Sequence, residues 1–151
     1  NIMGVIESNL YGAVREGKIE QEMYKLIEDG NTLTKDNLNK LVSDSLDLYY
    51  GDKVNRSKLN NLSWARRSHY YMNYYLYSYA ICISVATNVA KQILDGNEEM
   101  LNKYIKLLKT GSDTWTKDAF EILDIDLEDA NVYKNAFDYF DSLIEEYRSL
   151  M

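Results

Sequence analysis

Residues 68–90 run for 23 positions without an Asp, Glu, Lys or Arg, reading SHYYMNYYLYSYAICISVATNVA. The run holds the single histidine, His69, the single cysteine, Cys82, and six of the fourteen tyrosines. An uncharged stretch this long has three physical destinations. It crosses a membrane, it is a buried core helix, or it supports a core on one side and lines a site on the other. A spanning helix needs about 20 predominantly apolar residues, and hydrocarbon leaves every tyrosine hydroxyl in want of a partner. Only ten of the 23 are aliphatic, Met or Cys, and the rest include Asn73, Asn88, Thr87 and three serines. The composition therefore argues against a membrane span.

The two halves of the run differ in kind. Residues 80–90 read as a core helix whose small side chains permit close packing. Over residues 69–79, a helix would put Tyr70, Tyr74 and Tyr77 on one face and Tyr71, Tyr75 and Tyr79 on another. A purely structural helix more often carries Leu or Phe there, because buried hydroxyls must be satisfied. Tyrosine suits a position where the ring packs and the phenol faces a wet cleft. There it can donate to a peptide carbonyl or a developing oxyanion. Read from these residues alone, the segment is either such a cleft wall or an aromatic-rich packed helix with a satisfied histidine.

The rest of the chain is helical in period. With 151 residues and no proline, where average usage gives about 7 or 8, nothing interrupts long helices and one domain with a real core is expected. A first helix is expected from Ile2 to Glu28, with Ile2, Ile6, Leu10, Val14, Met23, Leu26 and Ile27 inward and Gly30-Asn31 ending it. Thr34 caps a second helix running to Leu48, and Gly51 to Ser63 reads as a loop. Asn97 caps a helix opened by Glu98 and Glu99. Thr110 to Asp113 is a turn, a short helix spans about Lys117 to Leu123, and Val132, Ala136, Phe137, Phe140, Leu143, Ile144, Tyr147 and Met151 stripe a last helix. No strand pattern of useful length appears, so the fold class is all-α, a single helical unit over residues 1–151.

Charge and chemistry narrow the function further. The net charge is -7, and it is uneven: residues 1–94 carry 11 basic and 10 acidic side chains, residues 95–151 carry 6 and 14. Nucleic acid is thereby disfavoured, since phosphate binding needs clustered Lys and Arg. One cysteine cannot form an internal disulfide, which fits a reducing, cytoplasmic setting, and Cys82 is expected to be a buried thiol. No signal peptide is visible, and the opening at Asn1 rather than a methionine fits either a piece of a longer chain or removal of the initiator. One His and one Cys cannot supply an N/S zinc site, and no HExxH occurs, so no metal ligands are assigned within the chain. Residues 124–135 begin like a calcium loop but place Asp129 where glycine is needed and Asn135 where glutamate is needed; these acids read as helix caps.

The order of residues from Trp64 to Ala80, W-A-R-R-S-H-Y-Y-M-N-Y-Y-L-Y-S-Y-A, resembles the C-terminal signature of oligoendopeptidase F, roughly W-x-R-x-x-H-[FY]-[FY]-x-x-[FY]-Y-x-Y-x-Y-A. The family belongs to the thimet oligopeptidase superfamily of HExxH zinc metallopeptidases. Lys18 to Asp52, with its Leu-Thr segment and Tyr49-Tyr50-Gly51 turn, is similar to the family as well. So are Ile93 to Gly96, Leu107 to Ser112, and Ile122 to Asp126. The chain departs from the pattern at Ile81-Cys82, Thr110, Trp115 and Ile125, which are hinge and packing positions.

The resemblance implies the C-terminal part of a helical zinc-peptidase catalytic domain whose HExxH part lies outside this chain. It implies that Tyr77 donates to the oxyanion of the tetrahedral intermediate, and that His69 and Tyr74, with Tyr70 beside them, contact a short peptide. Zinc would belong to the full-length enzyme and be bound by none of these residues. The piece alone is then expected to be inactive and to self-associate or present an apolar patch. The competing reading is a non-enzymatic helical module for peptide or protein binding, and after it a merely structural helical domain.

Overall fold

The computed structural model describes residues 2–112 and 114–151; Asp113, the last residue of the expected 110–113 turn, lies outside them. Among the described residues there are helices and turns but no strand. The chain divides into two compact units, one spanning Tyr11–Tyr79 and the other formed by Asn1–Leu10 with Ala80–Met151.

The chain starts with α1 (Ile2–Ile6), winds through a π-helical stretch at Glu7–Gly12, and continues as α2 (Ala13–Glu28). The left-handed Gly30 (φ 80°) then stops α2: its N–H donates to Ile27 O (2.9 Å) and that of Asn31 to Leu26 O (2.8 Å). Two carbonyls left open by the helix end are thereby satisfied, in a conformation that only glycine adopts freely. Thr34 caps α3 (Lys35–Tyr50) as expected, its hydroxyl accepting the Asn37 N–H at 3.2 Å. In the Tyr11–Tyr79 unit, Ile19 and Met23 of α2 pack on Leu38, Val42 and Leu46 of α3, with Trp64 and Tyr70 closing the edge. Each such side chain, fully buried, contributes about 1.5–3 kcal/mol. Trp64 is locked by donating from Nε1 to Asn39 Oδ1 (2.9 Å).

Several sequence expectations are corrected here. The inter-helix segment is not loop throughout: Lys58–Arg66 forms a 3-10 helix capped by Ser57, whose hydroxyl accepts from Leu59 N–H while Asn60 Oδ1 accepts from Ser57 N–H. Ile2 and Ile27 face outward, each about half exposed, while Glu16 and Glu20 of α2 are buried. A hydrophobic count assigns those glutamates to solvent, yet they find partners inside.

The other unit is built on α4 (Tyr77–Leu94), α5 (Glu98–Lys109), the short α6 (Thr116–Glu121) and α7 (Ala130–Ser149). Val85 and Val89, Met100, Leu123, Ile125 and Val132 form its core. Asn88 ties α4 to α7 by donating to Val132 O (2.8 Å) and accepting from Asn135 Nδ2 (2.9 Å). Ser84 and Thr87 turn their hydroxyls back onto carbonyls one turn earlier, which lets polar residues sit buried in α4. The acids at 124–129 do act locally: Asp129 caps α7 by accepting from Asn131 N–H (2.9 Å), and Asp126 accepts from Glu128 N–H (2.9 Å). Asn97 caps α5 as the sequence suggested. Cys82 is exposed rather than buried, although it shares an α4 face with Val85 and Val89. It borders an apolar cleft of about 600 Å³ lined by Val89, Ile93, Leu107 and Leu123. No helix among the described residues is long and apolar enough to cross a membrane.

Candidate functional site

The tyrosine-rich half of the uncharged run is not the continuous helix its spacing suggests. Ser68–Tyr71 is a 3-10 turn, residues 72–76 are irregular, and α4 begins only at Tyr77. The break is at Asn73 and Tyr74, both left-handed with φ of 52° and 60°. That conformation costs a residue with a β-carbon about 1–2 kcal/mol, least for Asn. The expected stripe of Tyr70, Tyr74 and Tyr77 is therefore replaced by a kinked segment, and its supports come from α2.

Three positions of α2, spaced three and four apart, touch that segment. Gly17 lies under Tyr77: a β-carbon there would come within 2.9 Å of ring atom Cζ. Glu20, 1% exposed, accepts the Tyr74 N–H on Oε1 at 2.7 Å. Tyr24 donates to Asn73 Oδ1 (3.1 Å), and its ring centroid stands 5.1 Å from that of Tyr74. One turn earlier, Glu16, 2% exposed, is enclosed by Arg15 (2.6 Å), Arg67 (3.4 Å) and the Tyr70 hydroxyl, which donates to Oε2 at 2.5 Å. A buried carboxylate is tolerable only with such charge and hydrogen-bond compensation.

The four residues singled out from sequence fall into different settings. Tyr74 and Tyr77 are brought together, their rings 6.4 Å apart and inclined by 28°. The Tyr77 phenol is raised above its usual pKa, chiefly by burial, with Lys18 opposing and Tyr74, Glu20 and Tyr49 adding to the rise. It stays protonated at neutral pH, and its hydroxyl has no hydrogen-bond partner among the described residues, so it is a free donor. His69 joins a second cluster: Nε2 shares a hydrogen bond with the Tyr79 hydroxyl (3.1 Å), and the ring lies 5.9 Å from Tyr75. Nδ1 is buried and has no partner among the described residues. No hydrogen bond or ring contact links His69 to Tyr77 among them either. Tyr70 has its hydroxyl committed to Glu16.

Burial first, and then the neighbouring Glu16 carboxylate, hold the Tyr70 phenol far above the ordinary tyrosine range. A folded-state pKa raised this way makes a contribution that is complete below the unfolded value of about 10 and is lost as pH climbs above it. Tyr70→Phe removes a partner from a buried carboxylate and is expected to destabilise by about 1–3 kcal/mol at neutral pH. In urea titrations the gap between wild type and variant should narrow above pH 10. A gap that widens with alkalinity would contradict the assignment.

Sequence reasoning overlooked Glu16, Gly17 and Glu20. Their signal is the run Ala13, Glu16, Gly17, Glu20, a small-and-acidic stripe at 3–4 spacing on a helix whose neighbouring positions are core. The described residues bring no three of His, Cys, Asp and Glu together as metal ligands.

Residues 7–139 match the sequence model of peptidase family M3. The chain is similar to the plasmid-borne oligoendopeptidase F of Lactococcus lactis subsp. cremoris, with 28% identity over 134 residues, covering 89% of this chain and 22% of that protein. It is similar to oligopeptidase PepF of Bacillus subtilis at 28% identity, covering 89% of this chain and 20% of the relative. Among solved structures, oligoendopeptidase-F from Enterococcus faecium superposes with a TM-score of 0.91 at 25% identity, over 99% of this chain and 29% of that one. The chain thus spans about a fifth of the length of these curated relatives. With a helical fold shared with the Enterococcus protein and a family match over most of its length, the chain belongs to peptidase family M3.

Proposed function

We propose that this chain supplies the substrate-binding and oxyanion-stabilising wall of a zinc-dependent oligoendopeptidase that hydrolyses short peptides. The observation that carries the reading is Tyr77: a protonated phenol, seated on Gly17 and paired with Tyr74, whose donor has no partner among the described residues. A tetrahedral intermediate develops negative charge on the former carbonyl oxygen, and a fixed donor aimed there is worth most. Tyr74, exposed beside it, contacts the peptide. His69, half-buried and oriented by the Tyr79 hydroxyl at Nε2, is a second contact to the peptide. The hydroxyl of Tyr70 anchors the segment through Glu16, leaving its ring for any contact with the peptide.

In this reading the chain is one part of a catalytic domain, active only with the rest of the peptidase in the cytoplasm. The metal is held by residues outside it, and zinc supplies the activation of water. The test is a quenched-peptide assay on the full-length protein with and without a chelator. Cleavage that disappears with chelation and returns with Zn²⁺ supports the reading. Cleavage untouched by metal removal, or peptide binding with no cleavage in the metal-loaded protein, favours the non-enzymatic binding module instead.

A further inference from the structure

The segment that presents Tyr74 and Tyr77 holds a backbone shape that its own residues do not favour, since Asn73 and Tyr74 are both left-handed. Such outliers persist where surrounding structure over-determines them, and they gather at functional sites. Two restraints come from α2: Tyr24 holds the Asn73 side chain, and Glu20 holds the backbone. Its carboxylate is 1% exposed, one oxygen accepts the Tyr74 N–H at 2.7 Å, and the other, Oε2, is buried without a partner among the described residues. Burying a carboxylate to satisfy a single backbone N–H is a poor choice for stability alone, because the unpaired oxygen keeps its desolvation cost. It is a good choice for geometry, since a buried acceptor shielded from competing water holds the Tyr74 N–H in one place. The restraint reaches Tyr77 directly. The Tyr77 N–H donates to Tyr74 O (3.4 Å) in the turn that opens α4, and the two rings face each other.

We propose that Glu20 is a positioning residue: its buried carboxylate fixes the Asn73–Tyr74 turn and thereby sets Tyr74 and Tyr77 against the substrate. The proposal rests on the peptidase-wall reading above. What matters is the reach of one acceptor oxygen, not the charge. Glu20→Gln keeps that acceptor at the same length. Glu20→Asp keeps the charge but withdraws the acceptor by one methylene.

The experiment measures kcat and KM for a quenched peptide in the full-length protein, together with hydrogen exchange at the Tyr74 amide. Glu20→Gln is expected to stay within about threefold of wild type in kcat and to keep the Tyr74 amide protected. Glu20→Asp is expected to lose about tenfold in kcat, with KM changed far less, and to expose that amide. The proposal is overturned if Glu20→Asp keeps wild-type kcat, or if Glu20→Gln loses as much as Glu20→Asp. Tyr77→Phe is the reference. Loss in Tyr77→Phe with none in Glu20→Asp sinks only the role of Glu20, whereas wild-type turnover in Tyr77→Phe sinks the wall reading itself.

Discussion

Tyr77→Phe in the full-length peptidase is expected to cut turnover by about 10²–10³-fold, the range for loss of one oxyanion donor. The substitution deletes only a hydroxyl. Its ring still packs over Gly17 and faces Tyr74, and no hydrogen bond among the described residues is lost, so folding should be unaffected. Because the donor acts on charge that exists only in the transition state, kcat and kcat/KM should fall together. The raised phenol pKa has a companion consequence. The group is ionised only in strongly alkaline solution, so wild-type activity should show no loss attributable to Tyr77 between about pH 6 and pH 9.

The second large effect is at Gly17, which touches no substrate. Alanine there would place its β-carbon 2.9 Å from Tyr77 Cζ and 3.1 Å from the flanking ring carbons, closer than packing permits. The far end of the Tyr77 side chain can move where the helix cannot, so the hydroxyl is displaced. A displacement of about 1 Å at a reacting group can cost about 10²-fold, and Gly17→Ala is expected to approach that loss in kcat. Stability should move the other way or not at all, since Ala replaces Gly in a helix interior with a gain of about 0.5–1 kcal/mol. A raised melting temperature with a collapsed kcat is the signature. A Gly17→Ala protein with wild-type kcat would show that Tyr77 is not held against α2 during turnover.

The helical class, the caps at Thr34 and Asn97 and the last amphipathic helix were legible because each depends on local periodicity and side chains within a turn of each other. The candidate site was legible only in its residue types. Tyr74 and Tyr77 were readable as a pair on one helix face, but their juxtaposition comes instead from a left-handed break and from supports far earlier in the chain, on α2. Glu16 and Glu20 escaped because an acid in a helix normally marks solvent, and only the fold reveals Arg67, Tyr70 and the Tyr74 amide opposite them. Gly17 escaped for the same reason, since its value lies in the ring packed above it. Cys82 was misplaced because free thiols are usually buried, whereas it borders an open apolar cleft beside Val85 and Val89.

The most direct measurement compares two ligands on wild-type and Tyr77→Phe full-length protein: a phosphinic peptide that mimics the tetrahedral intermediate, and the unreactive product peptide. The Tyr77 hydroxyl should matter only to the first. Affinity for the phosphinic peptide is expected to fall by about 10²-fold in Tyr77→Phe while product affinity stays within about threefold. Equal affinities of the two proteins for the phosphinic peptide would contradict the central claim that this chain presents an oxyanion donor to the substrate.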